Sequence, residues 1–215
     1  GTTLLNNGAS GSISVWVYAI ALDQALHSSN FQWRYPTIIS KGNVHMSLIV
    51  TKDGAVLGYY YNSSASNVEN IITANSIITT GNWHHIVWTW NASSSKLYVD
   101  STERYSGSYT PYDMNSSGNN SDIYIGHNAS STAGNFAKWN GLISQCAIYN
   151  SELSSSDVLS IYNLGRKNVD LTTSYPTNIQ GYWFLNPTHS NPDLTGSDKI
   201  LDRSGNGNHG TQNGG

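Results

Sequence analysis

Two adjacent histidines, His84-His85, are the first residues of this chain to suggest chemistry. Imidazole is a common zinc ligand. On a strand, however, neighbouring side chains point to opposite faces, so this pair cannot hold one ion together. No His-Glu-x-x-His accompanies it. The expected state is one histidine buried and hydrogen-bonded, with the other on the opposite face. Carboxylates are the second candidates. Cleaving a glycosidic bond needs two of them about 5 to 9 Å apart. The glutamates are Glu69, Glu103 and Glu152, and none has an acidic partner at a spacing that would share a strand face. Neither a Gly-x-Ser-x-Gly elbow nor a phosphate-binding loop is present.

A third group lies near the end of the chain. Asp202 offers a hard carboxylate, and the loop after it, with Gly205, Asn206 and Asn208, offers backbone and amide oxygens. Calcium prefers such a ligand set. The loop lacks the acidic spacing and terminal Glu of an EF-hand. The alternative is a Gly/Asn turn in which Asp202 caps backbone N–H groups. Aromatic residues are the remaining lead. Trp33, Tyr35, Tyr109, Tyr112 and Trp139 fall in loops, and Tyr61 falls at a strand end. Sugars stack their C–H faces on such rings, so these six form a candidate platform; otherwise they pack over the ends of the fold or between subunits. Trp16, Trp83, Trp88 and Trp183 lie in strands and are expected in the core. Cys146 alternates with apolar residues and reads as a buried, inert thiol.

Strands must position all of these residues. Ile13, Val15 and Val17 alternate onto one face. Residues 44 to 61 read as a hairpin around Lys52-Asp53-Gly54. Further strand signals fall at 37–40, 71–73, 76–78, 85–91, 96–99, near Arg104, 122–126 and 139–149. Within 139–149, alternation puts Leu142, Ser144, Cys146 and Ile148 on one face and Ile143, Gln145, Ala147 and Tyr149 on the other. Residues 106–120 and 128–138 are long loops rich in Asn, Ser and Gly. One helix is expected over 154–164. Ser154 and Asp157 make a capping-box start, Val158, Leu159, Ile161 and Tyr162 form the apolar stripe, and Gly165 stops it. Residues 166–178 read as a linker crossing the surface, 180–185 as a strand and 202–211 as a loop. Many short strands with no βαβ rhythm predict an all-β, two-sheet antiparallel sandwich.

The bulk numbers fit an extracellular or virion-type surface. The chain has 215 residues, a net charge of -3 and only 11 % charged residues. That suits one large all-β domain. No basic stripe exists, so nucleic acid is not an expected partner. No apolar stretch is long enough for membrane insertion. Asn and Ser make up roughly a quarter of the chain, a surface solvated by amides and hydroxyls. Five Asn-x-Ser sequons, at Asn62, Asn91, Asn115, Asn119 and Asn128, are expected by chance in such a composition. A single cysteine rules out an intrachain disulfide and leans toward a bacterial, phage or viral source. A start at Gly1 without a signal peptide reads as a processed or excised piece.

The run Gly81-Asn82-Trp83-His84-His85-Ile86-Val87-Trp88-Thr89-Trp90 is the most distinctive stretch. Lys96-Leu97-Tyr98-Val99-Asp100, Ile123-Tyr124-Ile125-Gly126, Gly141-Leu142-Ile143 and the helix at 153–165 follow it. This order resembles the laminin-G-like, concanavalin-A-like jelly-roll family. The resemblance implies a jelly-roll β-sandwich, a mainly binding and adhesive role, and, in some members, calcium near the Asp202 loop. It also places acids where this chain has Ser144 and Gln145, which puts any metal or salt-bridge role there in doubt. The jelly-roll β-glucanases carry Glu-x-Asp-x-x-Glu on one strand, a motif this chain lacks. Tyr182-Trp183-Phe184 and Asp202 to Thr211 match motifs that usually open the domain, yet here they close it. The tail is therefore permuted onto its own sheet, starts a truncated repeat, or is donated to a neighbour. Such a tail after such a core looks like virion-associated modules of marine bacteriophages.

The expectation is a jelly-roll core over 1–165 and a C-terminal extension over 166–215. The function expected is non-enzymatic binding outside the cell or on a virion, with loops that recognise a glycan or host-surface receptor. The alternative is a decoration or assembly protein that contacts neighbouring virion or surface-layer subunits, including copies of itself. A glycan-cleaving enzyme is the least favoured reading.

Overall fold

Period-two alternation builds two facing sheets. The computed structural model describes residues 10–22, 36–41, 46–61, 68–109, 122–127, 138–167, 170–175, 178–185 and 199–211. In chain order come β1 (Gly11–Ala19), β2 (Thr37–Lys41), β3 (Met46–Val50), β4 (Val56–Tyr61), β5 (Val68–Ile72), β6 (Trp83–Trp90), β7 (Ser94–Val99), β8 (Thr102–Ser108), β9 (Ile123–Ile125) and β10 (Gly141–Tyr149). Then follow α1 (Ser155–Leu164), α2 (Leu171–Ser174), β11 (Ile179–Trp183), β12 (Lys199–Ile200) and β13 (Gly210–Thr211). A six-stranded sheet runs β11-β10-β1-β6-β7-β8, and a five-stranded sheet runs β5-β4-β3-β2-β9. Every pairing within them is antiparallel. This is the expected sandwich.

The core lies between the sheets. Ile13, Val15 and Val17 of β1 and Ile86, Trp88 and Trp90 of β6 meet Ile38, Leu48, Val50 and Val56 from the opposite sheet, all buried. Gly58 makes room for the largest of these. A Cβ there would stand 2.6 Å from Ile71 and 3.1 Å from Trp88. The buried Trp88 Nε1 donates to Ser95 Oγ at 2.8 Å, which offsets its desolvation.

The six-stranded sheet has a second apolar layer on its outer face. Val87, Tyr98, Ala147, Tyr149 and Tyr182 pack there against Val158 and Ile161 of α1 and Leu171 of α2. A ten-residue helix is marginal on its own. Burial of Val158 and Ile161, at roughly 1.5–3 kcal/mol each, holds it. Its start is the predicted capping box: Asp157 N donates to Ser154 Oγ at 3.2 Å, and Ser154 N donates to Asp157 Oδ2 at 2.9 Å.

Several expectations need correcting. Residues 76–78 are a turn, not a strand. Ser76 has a φ of 61°, and the N–H groups of Ile77 and Ile78 bond Gly54 O. Strict alternation also fails in β10. An extra residue intervenes between Ser144, opposite Trp16, and Ala147, opposite Ser14. Gln145 takes a φ of 47° at this bulge. Ile143 therefore joins Cys146 and Ile148 on the core side, and Leu142 turns outward. In α1, Leu159 is 48 % exposed and leaves the stripe. Within 166–178 lies the one-turn α2, anchored by buried Leu171. The 202–211 loop ends in β13, which pairs with β12.

Candidate ligand-binding site

Helix α1 covers the outer face of β1 and β6, and the cover ends before the strands do. Ser12, Ser14, Trp16 and Tyr18 face outward along β1, with Thr89, Val87, His85 and Trp83 as their β6 partners. Leu153 N donates to Ser12 Oγ at 2.9 Å, fixing the start of the helical segment at one end of this ladder. Tyr162 stacks on Trp16 at 5.6 Å two-thirds of the way along. Gly165, with φ 71° and ψ -173°, then ends the helix. Arg166 lies beyond it, its guanidinium carbon 4.0 Å from the Trp83 ring centroid.

The uncovered row is Leu142–Tyr18–Trp83, three cross-strand neighbours on β10, β1 and β6. Tyr18 and Trp83 are half-buried, their rings 5.7 Å apart and tilted by 51°. Leu142 is 44 % exposed, and Ile20, just past the end of β1, is 61 % exposed. Two aromatic rings, an aliphatic edge and a cation thus form an open corner. Sequence reasoning missed it because Trp83 sits in a strand and reads as core. The outward turn of Leu142 depends on the bulge.

Two of the six predicted platform residues, Tyr109 and Trp139, lie in the core. Tyr109 is buried between the sheets, 4.5 Å from the Tyr60 ring and 6.2 Å from Trp90. Burial also raises its phenol pKa. Trp139 belongs to the same core cluster, and its Nε1 donates to Leu142 O at 3.2 Å. Neither ring offers a face to a sugar. Both rings were expected in loops; the loops carry them into the core. Tyr61 closes β4, opposite Val68. Trp33, Tyr35 and Tyr112 lie outside the described residues, as do most of the two long loops. The far face of the five-stranded sheet carries Ser40, Ser47 and Tyr59 side by side, but each is 1 % exposed.

The Asp202 loop is a clasp. Asp202 Oδ1 accepts from Tyr182 N and Ser204 N, each at 2.9 Å. Oδ2 accepts from Ser204 Oγ at 2.9 Å and Asn208 N at 2.8 Å. A carboxylate has about four lone-pair sites, and all four are taken. Burial raises its pKa, but these hydrogen bonds outweigh that and hold it below the usual value. Asn206 Nδ2 donates to Ile179 O and Gln180 O, Asn208 Nδ2 donates to Gln180 O, and Trp183 Nε1 donates to Asn208 O. Gly205 turns the loop at a φ of 85°. These donors fit the capping alternative and do not fit a calcium cage at Asp202. Among the described residues no three of His, Cys, Asp and Glu gather as a metal site. The clasp fastens the tail to β11, which itself pairs with β10.

The histidines face opposite ways, as expected. His84 Nδ1 donates to Asp100 Oδ2 at 2.7 Å, while its Nε2 accepts from Thr79 N at 3.2 Å. His85 is fully buried, with Nε2 2.8 Å from Ser14 Oγ and the Trp16 ring 4.9 Å away. Burial pushes its pKa down to about 4, against the attraction of Asp100. The acids are similarly occupied: Glu103 accepts from Tyr98, Glu152 from Asn91, Asp157 caps α1 and Asp170 caps α2. Asn91, first residue of a sequon, spends its Nδ2 on Glu152 at 2.7 Å and its Oδ1 on Ser93 N and Ser94 N.

The profile of the concanavalin A-like lectin/glucanases superfamily matches residues 1–159, and the chain belongs to this superfamily. No relative was found among curated protein sequences. Among solved structures, the chain resembles a Bacteroides ovatus protein provisionally described as carbohydrate-binding. The TM-score is 0.69 at 15 % identity, covering 99 % of this chain and 54 % of the other. This chain thus spans about half the length of that protein. It also resembles the CBM40 of a Ruminococcus gnavus IT-sialidase, solved with α2,3-sialyllactose. There the TM-score is 0.58 at 13 % identity, covering 74 % of this chain and 85 % of the other. Domain 4 of AbnA, an extracellular GH43 arabinanase of Geobacillus stearothermophilus solved with arabinotriose, gives a TM-score of 0.51 at 21 % identity, with 74 % and 71 % covered. At these identities the likeness concerns the fold.

Proposed function

We propose that this chain is a non-catalytic glycan-binding module acting outside the cell or at a particle surface. One observation carries the reading: Tyr18 and Trp83 form an open aromatic pair where the cover of α1 stops. Pyranose C–H faces stack on such rings, and half-buried aromatics on a rigid sheet lose little entropy on binding. The solved relatives with arabinotriose and sialyllactose use the same fold around sugars. The hydrogen-bonding duties of Glu103, Glu152, Asp157, Asp170 and Asp202 favour binding over hydrolysis. No described helix is long and apolar enough to cross a membrane.

A glycan array followed by titration calorimetry tests the reading. Tyr18→Ala and Trp83→Ala, each checked for an unchanged unfolding transition, are expected to weaken the best ligand by about tenfold or more. Wild-type affinity in both folded variants would move the site elsewhere on the molecule.

A further inference from the structure

We propose that the Tyr18–Trp83 corner selects acidic sugars, with Arg166 as the residue that takes the ligand's carboxylate. The inference rests on the glycan-binding reading and adds the ligand's charge. Arg166 is half-buried, and its guanidinium carbon stands over the Trp83 ring, 4.0 Å from the centroid. Among the described residues it has no acidic partner. The ion pairs there are Lys52–Asp53 and His84–Asp100. Asp100 is held by His84 and the backbone N–H of His85.

A guanidinium stacked on a ring by its face keeps its in-plane N–H groups for solvent or ligand. That edge matches a carboxylate with two parallel hydrogen bonds. Stacking also restricts the side chain beforehand, so less entropy is lost on binding. The neighbouring surface is apolar: the Tyr18 ring and the exposed Leu142 lie in the same cross-strand row. An apolar shelf beside a ring-stacked guanidinium with no acidic partner among the described residues fits a pyranose with a carboxylate on its ring. Hexuronic acids and sialic acids both have this feature. Lys167, next in the chain and exposed, adds positive charge on the same side of Gly165.

The test uses the unmodified chain and ligands that differ only in charge. Trigalacturonate and its methyl ester form one pair; sialyllactose and its methyl ester form the other. Calorimetry is expected to show the acid of one pair binding about tenfold or more tighter than its ester. Which pair responds identifies the sugar. In Arg166→Gln, that acid-to-ester ratio is expected to collapse toward one, and Arg166→Lys is expected to restore it only in part. Raising salt should narrow the ratio in the wild type. Equal binding of acid and ester would overturn the acidic-sugar inference while leaving glycan binding intact. A neutral array ligand whose affinity falls in Tyr18→Ala but not in Arg166→Gln would do the same. Failure of every glycan to bind would overturn both.

Discussion

The guanidinium of Arg166 rests 4.0 Å from the Trp83 ring, and Gly165 makes that contact geometrically available. The φ of 71° with ψ of -173° at Gly165 lies in a region that is essentially closed to residues with a Cβ. Gly165→Ala is expected to cost about 1–3 kcal/mol. The urea midpoint should fall and the m-value should stay constant. An unchanged midpoint would show that the chain can leave α1 by another route.

Asp202→Asn tests the clasp. The amide supplies one acceptor oxygen where two served, and it brings an NH2 group toward N–H donors. At least two of the four donors lose their partner, at about 1–3 kcal/mol each. Proteolysis within the tail should quicken, and calcium should leave the wild-type midpoint unchanged. A calcium-dependent rise in the wild type that Asp202→Asn lacks would return the metal to this loop.

His85 gives the stability curve an acid limb. Its folded pKa is lowered to about 4 from 6.5, so above pH 6.5 it is neutral in both states. As pH falls from 6.5 toward 4, the unfolded chain takes up a proton that the folded chain refuses. Stability therefore drops across that window by about 3 kcal/mol. His85→Gln is expected to flatten the slope between pH 6.5 and 4.5 while lowering stability at neutral pH, because the Trp16 stack is lost. The lowered pKa of Asp202 adds a further loss below the ordinary carboxylate value. Urea melts of both proteins at pH 7.5, 6, 5 and 3 separate the contributions.

Cys146 is wholly buried, and burial raises its thiol pKa to about 12. An aromatic disulfide reagent at pH 8 should leave it untouched for hours and label it fully in denaturant. Rapid labelling of the native chain would mean that β10 opens locally.

Strands and the helix cap were legible because their signals are local. The alternation of Ile13, Val15 and Val17, and the Ser154–Asp157 pair, need only their neighbours to be interpreted. The bulge at Gln145 is different. Its N–H donates to Phe184 O, and Ser144 Oγ donates to the same carbonyl, so a residue just past β11, far away in sequence, sets the local backbone. The burial of Tyr109 and Trp139 was hidden for a related reason: a loop position does not say where its side chain goes. The open corner at Trp83 depends on where α1 happens to end over β6, a length relation between two elements far apart in sequence.

The place of β1 has a consequence for how the chain is made. It lies between β6 and β10, with Ser12 opposite both Thr89 and Tyr149. At about 5–20 residues per second, a ribosome takes about 3 to 12 seconds to cover the 60 residues from Thr89 to Tyr149. Throughout that time a buried strand with Ile13, Val15 and Val17 on its inner face has its second edge bare. A nascent chain with this order gains from a holding chaperone, and refolding from denaturant should be slow and sensitive to protein concentration.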